Sequence, residues 1–452
     1  MDAGAVVLKG GTSLGANYYD TDTVTAPFRQ ESYFQYLFRL CEPDCYGVIF
    51  LRTGETYLFV PEIPKEAERW NGPAKSFEHY VSKYGVKKAM HVRSMATALA
   101  DNKVSTVYTL SGTNTDSGMA TALKPSFPFF KQDDKALHPV LSECRVIKTK
   151  REIDYLRACN LVSSQAHVFV MRHIKPGMSE LQLESLFKAY CGVYGGARHM
   201  AYTCICASGP NGSILHYGHA GRPNDRISKK SDLLVLDMGG EFQGYATDIT
   251  ASYPISGKFS KEQANVHNAV REVQEAVFSR LKPGTSWKEM HRVAERTILK
   301  HLLQMGVLKS ATVEELMKHD MAAVFMPHGL GHFIGMDVHD VNGYPEGSER
   351  DMALGVRWLR TQRVLKENMV LTVEPGLYFN NEWMDSCFED KKKASFVDFE
   401  VLKKYRGIGG VRLEDDVVIT KDGYENFTIL PKTIEEYESV IGKYTPSCSV
   451  CE

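Results

Sequence analysis

No stretch of this 452-residue chain approaches the roughly 20 apolar residues that a membrane-crossing helix requires. Its start, Met1-Asp-Ala-Gly-Ala-Val-Val-Leu-Lys9, lacks the basic region and long apolar segment of a secretory signal, so a cytoplasmic protein without a membrane partner is the expectation. Neither charge is in excess: 54 Lys and Arg stand against 55 Asp and Glu, a formal net charge of -1. That balance gives no electrostatic reason to expect nucleic acid and favours a substrate that is small or uncharged overall. A disulfide framework is absent too, because the ten cysteines (41, 45, 144, 159, 191, 204, 206, 387, 448 and 451) follow no regular spacing. Reduced, mostly buried thiols are expected. Cys448-Ser-Val-Cys451 has the spacing of a redox or zinc half-site but no second pair or nearby histidine, and reads as a frayed tail. There is no low-complexity tract and no short-period repeat.

What remains is the composition of an ordinary globular enzyme, 43% hydrophobic and 24% charged, in a chain long enough for two or three domains. Residues 1 to about 148 alternate short apolar runs with helical patterns, the signature of a small mixed α/β domain. Val48-Ile-Phe-Leu51 and Thr56-Tyr-Leu-Phe-Val60 predict a hairpin, and Lys103 to Leu110 a further strand after an amphipathic stretch at Arg93 to Leu99. At about Thr149 the pattern changes to a long helix beginning Lys150-Arg-Glu-Ile, which marks the domain junction and leaves 149–452 as the second domain. Helices are predicted at Ser179 to Val193, Ser260 to Leu281 and Ser286 to Met305, and strands at Tyr202 to Ala207, Leu233 to Met238 and Tyr245 to Tyr253.

The chemistry lies in the second domain. The segment His328-Gly-Leu-Gly-His332-Phe-Ile-Gly-Met-Asp-Val-His339-Asp340 packs three histidines and three glycines into a largely apolar stretch. Imidazoles so close together point to metal or proton chemistry. His332 and His339 would lie on opposite faces of a straight strand, and Gly335 offers a bend that brings both to one cavity.

Four acids complement them. Leu233-Leu-Val-Leu-Asp237 and Tyr245-Ala-Thr-Asp248 each bring a carboxylate to an apolar or β-prone run, and their spacing fits a two-residue hairpin turn with the two acids close across adjacent strands. Such a pair needs a cation, a shared proton or solvent between its members. Glu374 closes the apolar strand Met369-Val-Leu-Thr-Val373, and Glu414 sits in an alternating strand with Arg412 and Asp416 on its face. Singly, each acid reads as a surface or strand-end carboxylate. As a set with one histidine they predict a two-metal hydrolase, since two divalent cations balance four carboxylates and a bridging hydroxide. Oxygen ligands with one imidazole suit manganese, with cobalt or zinc as alternatives.

These residues, with Phe28-Arg-Gln-Glu-Ser32, Asn114-Thr-Asp-Ser-Gly118, Leu215-His-Tyr-Gly-His-Ala-Gly221, Tyr344-Pro-Glu-Gly347 and Gly409-Gly-Val-Arg-Leu-Glu414, resemble the pita-bread metallopeptidases along essentially the whole chain. The resemblance implies an α+β pita-bread catalytic domain over 149–452 and a small α/β domain over 1–148 that serves dimerisation and walls the cleft. It implies a dipeptidase cleaving Xaa-Pro dipeptides, working as a homodimer with two divalent ions. Asp237 would hold one metal, His332 and Glu374 the other, and Asp248 and Glu414 would bridge them. Glu374 would also shuttle the proton, His216 and His339 would contact substrate, and Arg360 would pair with the free carboxylate of the terminal proline. Arg412 would support a metal carboxylate, Tyr202 and Trp70 would touch substrate, with Trp70 reaching a partner subunit's cleft, and His328 would be structural. Two alternatives stand beside this: an aminopeptidase acting on longer Xaa-Pro peptides, and a relative without metals that only binds. Related chains generally carry a further amino-terminal helical stretch, whereas Ala5-Val-Val-Leu8 begins almost at once, which leaves the small domain's packing or dimer contacts less supported.

Overall fold

Each of the four long helices begins at a hydroxyl residue set just ahead of an apolar-periodic stretch. In the computed structural model, which describes residues 4–13, 27–121, 125–218 and 224–443, the helix Lys150–His173 follows Thr149. The Thr149 oxygen accepts the Glu152 N–H while the Glu152 carboxylate accepts that of Thr149. Ser179 with Gln182 and Ser260 with Gln263 build the same reciprocal cap for Glu180–Gly195 and Lys261–Phe278, and Ser286 accepts the Glu289 N–H ahead of Trp287–Gln304. Each cap is worth about 1 kcal/mol and sets where the helix starts. The tail with Cys448 and Cys451, and His219-Ala-Gly221 of the histidine motif, lie outside the described residues.

The chain divides into two units, Met1–Arg145 and Val146–Glu452. The first carries a six-stranded mixed sheet of β1 (Gly4–Lys9), β2 (Tyr46–Phe50), β3 (Thr56–Val60), β4 (Lys88–His91), β5 (Thr106–Tyr108) and β6 (Lys131–Asp133), in the order β4-β3-β2-β1-β5-β6. The expected hairpin is β2–β3, with Val48 facing Tyr57. The strand expected over Lys103 to Leu110 shortens to β5, because Lys103 takes a left-handed φ of 54° in the turn that ends the preceding helix. Ala5, Val7, Val48, Phe50, Phe59, Leu99 and Val107 form its core.

The second unit lays helices over small antiparallel sheets. β8 (Ile205–Ser208), β9 (Leu233–Asp237) and β12 (Thr250–Pro254) form one sheet. β13 (Val370–Val373), β16 (Asp415–Ile419) and β17 (Tyr424–Asn426) form another, and β14 (Gly376–Tyr378) pairs with β15 (Gly410–Arg412). β10 (Gly240–Phe242) joins β11 (Tyr245–Ala246) and β7 (His199–Met200). Alternation along these strands decides which face carries chemistry. Leu234 and Leu236 pack with Val170, Met171, Leu183 and Phe187 of the first helix pair, and Leu371, Val373, Val411 and Val417 pack with Val266, Val270, Val273 and Ile298 of the second. Residues of the other parity, Asp237, Thr372 and Arg412, belong to neither apolar cluster. The site is assembled on that face.

Candidate metal centre

The hairpin β9–β12 brings the first two acids together. Its turn has two residues, as the spacing requires, with Gln243 and Gly244 both at positive φ, 52° and 88°. The register differs from the expected one, because Asp237 faces Thr250 and the pairing is displaced by two residues. Asp248 therefore lies diagonally from Asp237, still close enough for the charge of Asp237 to act on it. Spacing fixes the length of a turn but leaves open which residues flank it.

Glu414 departs from expectation in another way. It lies between β15 and β16, where the chain leaves one partner strand for another, rather than inside a continuous strand. There its N–H donates to the Thr250 carbonyl at 3.0 Å, and the Thr250 hydroxyl donates to its carboxylate at 2.6 Å. The break turns Glu414 toward Asp248, whose N–H is held by the Asp416 carboxylate at 3.0 Å.

His332 comes from a loop pinned to β13. Its N–H donates to the Thr372 hydroxyl at 3.1 Å, and its carbonyl accepts the Thr372 N–H at 2.9 Å. The ring nitrogen Nδ1 lies 2.9 Å from the Phe333 carbonyl, which can only accept, so Nδ1 carries the proton and Nε2 presents its lone pair. Nε2 is aimed at Asp248 Oδ2, 3.3 Å away, and Glu374 Oε1, 3.6 Å away. Glu374 is placed by its N–H on the Leu330 carbonyl at 2.9 Å and by the Thr372 hydroxyl at 3.4 Å. Beyond His332 the chain doubles back, the Asp340 N–H reaching the Phe333 carbonyl at 2.9 Å, and the rings of His332 and His339 meet edge to face at 4.5 Å. Gly335 is required at this bend, since a Cβ there would lie 2.4 Å from the Asp340 carboxylate and 3.0 Å from Lys148. Those two form an ion pair at 2.9 Å with both side chains 1% exposed.

Asp237 has both oxygens engaged: Oδ1 accepts the Tyr202 hydroxyl at 2.5 Å, and Oδ2 accepts Arg412 Nη2 at 2.6 Å. The buried Arg412 guanidinium also donates to the Tyr378 hydroxyl at 2.7 Å and to Thr250 at 3.2 Å. His328 sits at the edge, Nδ1 2.7 Å from the Gly329 carbonyl and Nε2 3.1 Å from the Tyr378 hydroxyl, and its nearest approach to Glu374 is 3.9 Å. Burial and the nearby Arg412 push it down to about 3, so it is uncharged.

The electrostatics ask for a cation. Burial, and then the neighbouring carboxylates, hold Asp248 and Glu414 well above the usual carboxylate range. Burial pushes Glu374 up to about 7 against the pull of His332 and Arg412. Asp248, His332 and Glu414 each offer a ligand atom within 4.8 Å of the others. Asp248 Oδ1 is buried with no hydrogen-bond partner, a cost that a bound cation would remove. This donor set, carboxylate oxygens with one correctly tautomerised imidazole, fits a divalent metal ion.

The remaining sequence candidates are less enclosed. His216 is exposed and Arg360 half-buried, and together with His332 their charges add to burial in pushing His339 far down, which marks all three as its neighbours. Trp70 belongs to the first unit, where it is 80% exposed. Tyr378, Thr250 and Thr372 join the site without standing among the sequence candidates. Parity was the available signal: Thr372, Glu374, Gly376 and Tyr378 alternate along one stretch, and Thr250 shares its parity with Asp248.

The profile of metallopeptidase family M24 matches residues 154–421, and that of the aminopeptidase P N-terminal domain matches residues 1–108. The Xaa-Pro dipeptidase of Homo sapiens is 48% identical over 437 residues, 96% of this chain and 88% of that protein. Among solved structures, aminopeptidase PepP of Pseudomonas aeruginosa superposes with a TM-score of 0.78 at 31% identity, covering 97% of this chain and 94% of its own. Aminopeptidase P from E. coli with the inhibitor Pro-Leu gives 0.78 at 30% identity with the same coverage.

Proposed function

The chain belongs to metallopeptidase family M24, and on that premise we propose that it is an Xaa-Pro dipeptidase, a prolidase, working with divalent metal ions held by Asp237, Asp248, His332, Glu374 and Glu414. The observation that carries the reading is the buried group Asp248, His332 and Glu414, with the imidazole lone pair turned inward and one carboxylate oxygen left without a partner. Two divalent cations bound there would offset the carboxylate charges and acidify water toward neutrality. Four carboxylates and one imidazole favour manganese, with cobalt or zinc as alternatives.

The protein's own groups divide the rest of the work. Glu374, pushed up to about 7, takes a proton from the attacking water and returns it to the leaving imino nitrogen. Arg412 and Tyr202 hold the two oxygens of Asp237 in one orientation. His339, kept neutral by burial and by its basic neighbours, hydrogen-bonds the substrate without adding charge, and His216 lies on the exposed side of the same group. Arg360 pairs with the free carboxylate of the terminal proline through its planar fork. The first unit's exposed Trp70, Met119 and Phe129 support a role in joining two copies as a homodimer, with Trp70 contributing to a partner's cleft. Eight described cysteines are all free thiols, in keeping with a reducing cytoplasmic compartment.

The likeness to aminopeptidase P structures favours one second reading, removal of the first residue from longer Xaa-Pro peptides. Turnover of Gly-Pro against Gly-Pro-Gly with manganese, cobalt or zinc decides between them. The dipeptidase is expected to prefer Gly-Pro by at least about tenfold, because the tripeptide carries its free carboxylate beyond the reach of the half-buried Arg360 guanidinium. Equal or better turnover of the tripeptide would assign the aminopeptidase.

A further inference from the structure

Arg360 is held by its neighbours on both sides, through the backbone. The carbonyl of Leu359, in the peptide plane that ends at the Arg360 nitrogen, accepts the Tyr344 hydroxyl at 2.6 Å and Arg350 Nη1 at 3.1 Å. The same Arg350 nitrogen donates to the Arg357 carbonyl at 3.0 Å, and the guanidinium lies 4.2 Å from the centre of the Tyr344 ring. On the other side, the Arg360 carbonyl lies against Gly343, where a Cβ would approach it to 2.2 Å, and the Thr361 hydroxyl donates to the Gly343 carbonyl at 2.9 Å. Leu359 and Thr361 are fully buried and Tyr344 is 5% exposed.

A peptide unit is planar, so fixing the two planes that flank a Cα fixes its Cα–Cβ bond and limits where the side chain can reach. Gly343 and Tyr344 follow His339 by four and five positions on the same loop. The cation that reads the substrate carboxylate is thereby tied to the loop that carries a substrate-contacting histidine. We propose that Tyr344 and Arg350 are positioning residues that set the distance from Arg360 to His339, and so make the site measure the length of a dipeptide. The proposal rests on the assignment of Arg360 to the substrate carboxylate. Pre-organisation of this kind acts on affinity for substrates that carry the charge and not on the chemical step.

The experiment uses the manganese-loaded full chain and compares Gly-Pro with its carboxyl amide in the parent, Y344F, R350M, R360M and the double variant Y344F/R360M. Y344F and R350M are each expected to raise KM for Gly-Pro roughly five- to tenfold, with kcat and the KM of the amide within about twofold of the parent. In the R360M background Y344F is expected to add nothing, the signature of two residues acting through one contact. A similar rise for both substrates, or an additive effect of Y344F on R360M, would reduce Tyr344 and Arg350 to ordinary packing and overturn the proposal. If the parent and R360M treat Gly-Pro and its amide alike, the Arg360 assignment itself fails and the proposal falls with it.

Discussion

Asp248 is buried beside Asp237 and Glu414, pushed well above the usual carboxylate range, with one oxygen lacking any partner. Without metal it is a stored repulsion, and on the proposed reading a bound metal relieves it. Asp248→Asn is therefore expected to act in opposite directions on function and stability. Hydrolysis of Gly-Pro should fall at least about a thousandfold, since a bridging charge is lost from the site. The metal-free variant should meanwhile be about 1–2 kcal/mol more stable than the metal-free parent, as removing a functional strain commonly gives. Activity assays with metal analysis, and thermal unfolding in chelator, read the two effects. Near-normal turnover at full metal occupancy would remove Asp248 from the ligand set. The acids were legible because each ends or interrupts an apolar run, a placement that is costly without a purpose. Tyr378 and Thr372 were not, because the value of a hydroxyl depends on who faces it across the strand, and pairing is not written in one strand alone.

At the scale of elements, the Lys148–Asp340 pair anchors the loop of His332 and His339 to the segment just before the first long helix. Removing one member takes the buried counter-charge from the other, so Lys148→Met is expected to cost about 3–5 kcal/mol in denaturant unfolding. Lys148→Met combined with Asp340→Asn should recover part of it, and a loss below about 1 kcal/mol in the single variant would show that the pair is not sealed from water. Helix starts were readable to within a residue or two because Thr149, Ser179, Ser260 and Ser286 cap them with their own side chains, a signal local in sequence. The loop after His332 was readable only as a bend at Gly335. Its closure depends on Lys148, 192 positions from Asp340, and no local pattern carries that information.

For the molecule as a whole, buried imidazoles make stability depend on pH. His267 is packed against Phe259 and Tyr437 with neither ring nitrogen hydrogen-bonded, and burial, with some help from Arg271, pushes it down to about 3. Folded, it stays neutral, whereas unfolded it takes up a proton below its ordinary value of about 6.5. The unfolded state then binds more protons, so this contribution to stability is complete above about 6.5 and declines as pH falls toward about 3. At pH 5 the loss amounts to about 2 kcal/mol from this one group. Unfolding midpoints at pH 7 and pH 5 check it: the drop should shrink in His267→Leu by about that amount, and an unchanged drop would mean that the ring is protonated within the fold. The broad plan of the second unit, helix pairs over sheets, was legible from period alone. The division of its strands among several small sheets was not, since it depends on which strand each half finds.

The bond from the Thr250 hydroxyl to Glu414 joins positions 164 residues apart, whereas Asp237 and Asp248 meet through a local hairpin. During synthesis the hairpin acids emerge first, the histidine some eighty residues later and the last carboxylate later again. On the proposed ligand set, a nascent chain therefore holds only a fraction of the donors and competes poorly for metal. Capture of the ions becomes a late event that reports completed folding, and an incomplete chain is spared a reactive centre.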